Sequence, residues 1–366
     1  MEVWRMAETK TRINNIFTFF KKPLVKYIFI RIFNSFITLF LIITAVFLLM
    51  RLLPKERYIN FDVVNKMPVE ARENYIEFTY EKYGLNDPVP VQLFNYYRDL
   101  NPFIPKEICV ADNYDDDYNV ECVKTETVYF NLGESITYKN GKPITELISE
   151  RFPVSFKLSM ASLLVTYFIA YPLGVAMAKN KGKLIDKLGN SYIILTNAVP
   201  GLIFYYIWVI LGMKAFGLPS VFDRENLFSW IMPIWAISFA SIAGTSMWVR
   251  RYMVDEMNSE YVKFARSKGL SERSIMFKHV LRNAIVPLIR TFPAALIFAV
   301  VGSYFVEMLW SIPGSGGLLI SALNKGDNPL VVGLTIVYAS MSMVASLLGD
   351  IITVFFDPRI SLIKNK

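Results

Sequence analysis

The chain has 366 residues, 54% of them hydrophobic and only 19% charged, with a mean hydropathy of +0.36 and a formal net charge of +8. That is too apolar for an ordinary soluble domain of this length, so the sequence belongs in a bilayer. With one histidine, His279, and two cysteines, Cys109 and Cys122, outside any CxxC pair, a catalytic triad, a zincin motif and a multi-histidine metal site within this chain are excluded.

Six apolar runs are long enough to cross about 30 Å of hydrocarbon. They cover approximately residues 27–50, 154–178, 191–213, 229–249, 286–309 and 331–356. The first is expected to stay as an anchor. Its apolar part is too long for a cleaved signal peptide, and Arg51-Leu52-Leu53-Pro54 lacks the small residues of a cleavage site. Basic residues crowd the start of the chain (Arg5, Lys10, Arg12, Lys21, Lys22, Lys26), the second connection (Lys179, Lys181, Lys183, Lys187) and the fourth (Arg250, Arg251, Lys263, Arg266, Lys268, Arg273, Lys278, Arg282). The positive-inside rule therefore puts both termini, 1–26 and 357–366, and those two connections in the cytoplasm. Residues 51–153 then lie outside; they carry 12 Lys plus Arg against 18 Asp plus Glu, a net of −6 that leaves +14 for the rest. This asymmetry predicts a small acidic extracytoplasmic domain between the first and second helices of an all-α polytopic protein, with residues 154–356 as its helical core.

Both cysteines fall in that domain, within "CVADNYDDDYNVEC", where a Cys109–Cys122 disulfide and two free thiols both remain open. The neighbouring Asp112, Asp115, Asp116 and Asp117 read as a solvated acidic loop, because the spacing and glycine of an EF-hand calcium site are missing. No metal site is expected.

Polar residues inside spans usually face the bundle interior, so the candidates for a pathway or gate are Thr196 and Asn197 in the third span and Arg290, Tyr304 and Glu307 in the fifth. Glu307 and Tyr304 precede "SIPGSGG", a candidate for part of an external gate; Asp350 lies toward the inner end of the sixth. An interhelical hydrogen bond or an interfacial anchor explains each of them equally well. Pro172, Pro200, Pro233 and Pro293 are positions for bends.

Between the fourth and fifth spans lies "SEYVKFARSKGLSERSIMFKHVLRN". Ser259 is placed to cap a short helix with Glu260 at its positive end, and Tyr261, Phe264 and Ala265 fall at i, i+3 and i+4. Arg266 and Lys268 suit its carboxyl end, and Gly269 supplies the left-handed residue that stops it. Ser271 caps a second helix running through Ile275, Phe277, Val280 and Leu281 into the fifth span. The mixed apolar and basic face suits either docking to a protein or resting on anionic lipid.

The stretch Glu260 to Pro287, with "ARSKG", "LS" and "LRNAIVP", resembles the EAA loop of binding-protein-dependent ABC importer permeases, in the form of their oligopeptide, dipeptide and nickel branch. The loop's name-giving glutamate and alanine positions hold Lys263 and Phe264 here. The resemblance extends along the chain in "KYIFIRIF", "FLLMRLLP", "EKYGLNDPVPVQ", "NLGESI", "GKPITELISERFPVSFKLSMASLL", "AVPGLIFYYIWVILG", "FVEMLWSIPGSGGLL" and "FDPRI", and is similar to an OppB-type subunit. Residues 101–128 fall outside it and read as an insertion.

The resemblance implies the type I ABC importer permease fold, with six transmembrane helices and a coupling loop at 250–285 that docks on an ATPase. Tyr261, Phe264, Ala265, Arg266, Lys268, Gly269, Leu270 and Ser271 would be its ATPase-coupling residues. It also implies a second OppC-like permease subunit, two ABC ATPase subunits and a substrate-binding lipoprotein or periplasmic protein, in a bacterial cell membrane. The chain would form half of a path for oligopeptides or dipeptides, the alternative being nickel chelates or another small solute. No GxxxxGK[ST] is present, so ATP and Mg would be bound by the partner ATPases and not by this chain, and Gly141-Lys142-Pro143 reads as a turn. A lone His279 on the loop reads as a surface residue, not a metal ligand. An enzyme would need acid, base or metal groups clustered at one depth, and Arg290, Glu307 and Asp350 are scattered. An autonomous channel or secondary transporter would show inverted repeats, which the sequence lacks.

Overall fold

The computed structural model describes residues 23–114 and 120–356, with side chains left undescribed at 23–27, 109–124, 290, 297–301 and 353–356. Among the described residues, four helices are long and apolar enough to cross a membrane: α1 (Pro23–Arg51), α4 (Ile144–Lys179), α7 (Phe228–Met257) and α12 (Asn328–Phe356). Between α1 and α4 stand α2 (Val69–Lys82) and α3 (Val89–Leu100). Then come the antiparallel hairpin β1 (Lys106–Tyr114) and β2 (Val120–Val128) and the two-residue ladder of β3 (Glu134–Ser135) with β4 (Lys142–Pro143). The hairpin coincides with the stretch that the family resemblance leaves out, and it adds strands to an otherwise helical chain. Cys109 and Cys122 stand on its two strands, with side chains outside the described residues; the aspartates at 115–117 are outside them altogether.

Two expected spans are not single helices. The run at 191–213 is divided into α5 (Leu184–Ala198) and α6 (Gly201–Phe216), which meet at 106°. Pro200 has no N–H to continue the ladder and forces Val199 into an extended conformation, φ −97 and ψ 131. The run at 286–309 is divided into α9 (Val286–Val301) and α10 (Tyr304–Leu309) by Gly302, whose φ of 77 ends the helix. The second span instead begins earlier than residue 154: α4 starts behind Pro143 and has 36 residues, about 54 Å of helix. Its first turns therefore project past any bilayer core.

The bundle is organised around α4 and α7, which approach closely because small residues face each other. Ser162, Thr166, Ala170 and Gly174 are buried at four-residue intervals along α4. A Cβ on Gly174 would lie 2.6 Å from that of Val249, and Ser238 Oγ donates to the Ser162 carbonyl at 3.0 Å. α12 packs on α1 and α9, and Arg31 of α1 pairs with Asp350 at 3.3 Å, which places the aspartate in an ion pair between helices.

At one end of the bundle, Ile144 and Leu147 of α4 pack with Leu330, Val331 and Leu334 of α12 and with Leu318 and Ala322 of α11 (Ser315–Lys325). Asp327, fully buried in the turn between α11 and α12, fastens the 51–143 segment there. It accepts from Ser135 Oγ at 2.6 Å and from the amides of Thr137 and Tyr138 at 3.0 and 2.9 Å. At the other end, α4 and α7 close over the 258–285 stretch.

Candidate functional site

The stretch after α7 is built as a hinge with one face anchored and one face bare. α8 (Glu260–Ser267) ends in a Schellman motif. The Leu270 amide donates to the Ala265 carbonyl at 3.3 Å and the Gly269 amide to that of Arg266 at 2.9 Å, with Gly269 at φ 77. Ser271 accepts from the Ser274 amide at 3.3 Å and so caps the next segment, as its sequence position predicts. Ser259 does not cap α8: it occupies the N-cap position, but its Oγ donates back to the Glu256 carbonyl at 2.7 Å. The second segment is not a regular α-helix either, because Ile275–Val280 is π-helical before Leu281–Ala284 resumes the α pattern.

The three residues that the sequence spacing places on one face are divided in the structure: Ala265 is buried, while Tyr261 and Phe264 are exposed. Val262 and Ala265 carry α8 into the core, packing with Ile275, Met276 and Val280 of the π segment, Met253 and Val249 of α7 and Ala178 of α4. Tyr261 and Phe264 point outward from the neighbouring face. Phe264 is 60% exposed, Phe277 53% and Leu270 41%, and Lys263, Lys268, Arg273, Lys278 and Arg282 surround them, also exposed. Lys268 Nζ sits 4.4 Å from the Phe264 ring centre. Tyr261 Oη donates to Glu256 Oε2 at 2.5 Å, which ties α8 to the end of α7. The half-buried His279 lies within this same hinge, its carbonyl 3.4 Å from Tyr261 Oη.

The turn is braced by an ion pair absent from the sequence reading. Arg266 donates to both oxygens of Glu272, at 2.7 and 3.3 Å, across Gly269. The guanidinium holds the Glu272 carboxyl below the usual carboxylate range. A second brace supports the hinge from behind. Arg250, two turns from the end of α7, donates to the buried Asp186 at the start of α5 at 2.5 and 2.8 Å; the same carboxylate accepts from the Gly182 amide at 2.8 Å and Asn190 Nδ2 at 3.1 Å. No sequence spacing signals that pair, since its members are 64 residues apart.

The candidate pathway residues are not gathered into one group of contacts. Thr196 Oγ1 donates to the Tyr192 carbonyl and Asn197 Nδ2 to the Ile193 carbonyl, both at 2.8 Å, so each bonds within its own helix just before the bend. The Arg290 side chain lies outside the described residues. Tyr304 is half-buried against Phe305. Glu307 is the exception: it is 1% exposed and accepts from Ser155 Oγ at 2.7 Å and the Gly317 amide at 2.8 Å. Ser155 Oγ in turn accepts from the Ser315 amide at 2.7 Å. The glycines of "SIPGSGG" make this possible, for a Cβ on Gly314 would stand 2.4 Å from the Glu307 carboxyl carbon. Glu307 thus clasps the loop between α10 and α11 to the start of the α4 core.

Residues 170–362 match the family model described as "Binding-protein-dependent transport system inner membrane component". The dipeptide transport system permease protein DppB of Lactococcus lactis is 29% identical over 344 residues, covering 93% of this chain and 100% of that protein. The oligopeptide transport system permease protein AmiC of Streptococcus pneumoniae is 36% identical over 206 residues, 56% of this chain but 41% of AmiC, so the match spans about two fifths of that relative. The nickel import system permease protein NikB of Staphylococcus aureus is 26% identical over 339 residues, 92% of each chain. The matched family region runs from the last turns of α4 through α12 and takes in the braced hinge and Glu307, and on that match the chain belongs to the family of inner membrane components of binding-protein-dependent transport systems.

Proposed function

We propose that this chain is one permease subunit of an ATP-driven importer that takes up oligopeptides or dipeptides handed over by an extracytoplasmic binding protein. It forms half of the pathway, and a second, OppC-like permease subunit forms the other half. The observation that carries the reading is the hinge: buried Val262 and Ala265 weld α8 to α4 and α7, while Phe264, Leu270 and Phe277 project outward among basic residues. Such a surface transmits a push from a docked subunit into the bundle and does not merely rest on it. Two ATPase subunits dock there and hold the ATP and Mg; this chain holds no cofactor. Tyr261, Phe264, Arg266, Lys268, Gly269, Leu270 and Ser271 form or shape the docking face, and Ala265 anchors it.

In this reading the protein is multi-pass in a bacterial cell membrane, with both termini cytoplasmic and six crossings. α5 with α6 makes the third and α9 with α10 the fifth; residues 51–153 stand outside and 357–366 form the cytoplasmic tail. Glu307 holds an outer gate. Purification from native membranes in gentle detergent, with mass spectrometry, tests the assembly. A second permease, two ATPases and a binding lipoprotein or periplasmic protein are the expected companions, and a stable chain recovered alone overturns the reading. The coverage shared with the nickel permease NikB favours one second reading, the same machinery carrying a nickel chelate. Uptake of labelled dipeptide against nickel-63 in cells with and without the gene separates the two.

A further inference from the structure

A cavity of about 660 Å³ opens between the end of α1, the 51–143 segment and the start of α12. Its wall carries Arg51, Gln92, Tyr96 and Lys106, and Phe47 and Tyr58 contribute aromatic surface. Lys106 Nζ is fully used by backbone carbonyls, donating to those of Asp99, Asn101 and Tyr129 at 2.9, 2.5 and 2.6 Å. Lys82 is taken by Glu134 at 3.0 Å and Arg98 by Asp99 at 3.7 Å.

Arg51 differs from these three. Its guanidinium carbon stands 5.0 Å from the ring centres of both Phe47 and Tyr58, and Nη2 donates to the Tyr83 carbonyl at 3.4 Å. Its Nε and Nη1 are buried with no hydrogen-bond partner among the described residues. Two further polar atoms on the same wall share that condition, Tyr96 Oη and Gln92 Oε1, although Gln92 Nε2 is engaged by the Asp87 carbonyl at 2.6 Å. A buried guanidinium without a carboxylate is costly, and proteins keep such groups where an anion completes them. We propose that this cavity is a binding site for an oxyanion, a carboxylate or a phosphate, held by Arg51 on a molecule that also offers an N–H or O–H donor to Gln92 Oε1.

Two sources share that chemistry: a small soluble carboxylate and the headgroup of an anionic lipid. The full chain, with its copurified subunits, is placed in nanodiscs of phosphatidylcholine or of phosphatidylcholine with phosphatidylglycerol, and its unfolding is followed by tryptophan fluorescence. N-acetylglycine, which carries both a carboxylate and an N–H, is titrated into the first. A saturable rise in unfolding temperature with N-acetylglycine assigns the soluble source; a rise confined to phosphatidylglycerol discs assigns the lipid. Arg51→Met is expected to abolish either rise, while unfolding in plain phosphatidylcholine at the same or a higher temperature than the parent. Arg51→Lys keeps the charge but loses the planar set of donors and is expected to weaken half-saturation by about tenfold. A parent protein that responds to neither probe overturns the proposal whatever the variants do, and so does an equal response in Arg51→Met. If Arg51→Met fails to fold, Gln92→Met, which leaves Arg51 in place, is expected to weaken the response, and an undiminished response overturns the proposal.

Discussion

Arg266 and Glu272 face each other across Gly269, joined by hydrogen bonds of 2.7 and 3.3 Å that close the turn into a rigid corner. The corner fixes the angle at which Phe264 and Phe277 leave the surface, so on the proposed docking role the stiffness of the hinge sets the shape of the docking face. Reversing Arg266 and Lys268 together to Glu sets two new negative charges beside Glu272 and opens the corner. The expected outcome is a chain that inserts normally but whose copurified ATPase subunits hydrolyse ATP without stimulation by transport substrate. Adding Glu272→Arg restores the pair in reverse and is expected to recover part of the coupling, read as transport per ATP in proteoliposomes.

The same pair gives the hinge a pH dependence of defined sign. Glu272 titrates lower when the hinge is folded than when it is open, so its contribution is present above the ordinary glutamate range and is lost as pH falls through the lowered value. Both side chains are substantially exposed, at 43% and 66%, which holds the effect to at most about 1 kcal/mol and makes it salt-sensitive. The protection factors of the Gly269 and Leu270 amides, with the pH dependence of intrinsic exchange divided out, are expected to fall on acidification below the glutamate range in the parent and to change little in Glu272→Gln.

Gly269 stands at φ 77, a region that costs a residue with a side chain about 1–2 kcal/mol. Gly269→Ala is expected to lower hinge stability by that amount with open space around the new methyl, since nothing lies within 4 Å of it. Gly269→Pro fixes φ near −65° and deletes the amide that donates to Arg266, so it is expected to abolish coupled transport while leaving membrane insertion intact. Wild-type transport by Gly269→Pro would refute the coupling role.

Removing Asp186 leaves Arg250, whose side chain is 23% exposed, without its partner behind the hinge. Asp186→Ala is expected to cost about 3 kcal/mol, seen as a lowered unfolding temperature of the detergent-solubilised complex. The double change Asp186→Leu with Arg250→Leu is expected to cost less than the single one, because no charge is then stranded.

Gly302 admits no side chain: a Cβ there would meet Glu307 Oε1 at 2.1 Å. Gly302→Ala is therefore expected to displace the carboxylate from Ser155 and loosen the "SIPGSGG" loop, measured as faster protease cleavage in that loop. Glu307→Gln keeps the shape and is expected to be the mildest change at this position, Glu307→Ala the harshest.

Hydropathy alone located the long helices α1, α4, α7 and α12, because a membrane-length apolar run has few alternatives. Pro200 marks the first break by residue type but not its size, since Pro153 and Pro172 leave α4 continuous, and Gly302 does not stand out among the glycines of the sequence as the site of the second. The hinge was legible through Gly269 and Ser271, whose roles depend on local backbone geometry. Its orientation was not, since Val262 and Phe264 are equally apolar and only the positions of α4 and α7 decide which one is covered. Arg250–Asp186, Ser155–Glu307 and Ser135–Asp327 join residues 64, 152 and 192 apart, and no local pattern encodes such distances.

Asp327 is the point at which the hairpin-bearing segment is fastened to the turn leading into α12. Ser135 and the amides of Thr137 and Tyr138 converge on one of its carboxylate oxygens, while the other accepts from the Leu330 amide at 3.2 Å, at the start of α12. Leu132 packs beside that carboxylate against Leu330 and Leu334, and Tyr96, Tyr97 and Leu100 pack against Val332 and Ile336. The segment and the first turns of α12 are thus bound together by one buried charge and an apolar seam alongside it, a joint that holds both position and angle.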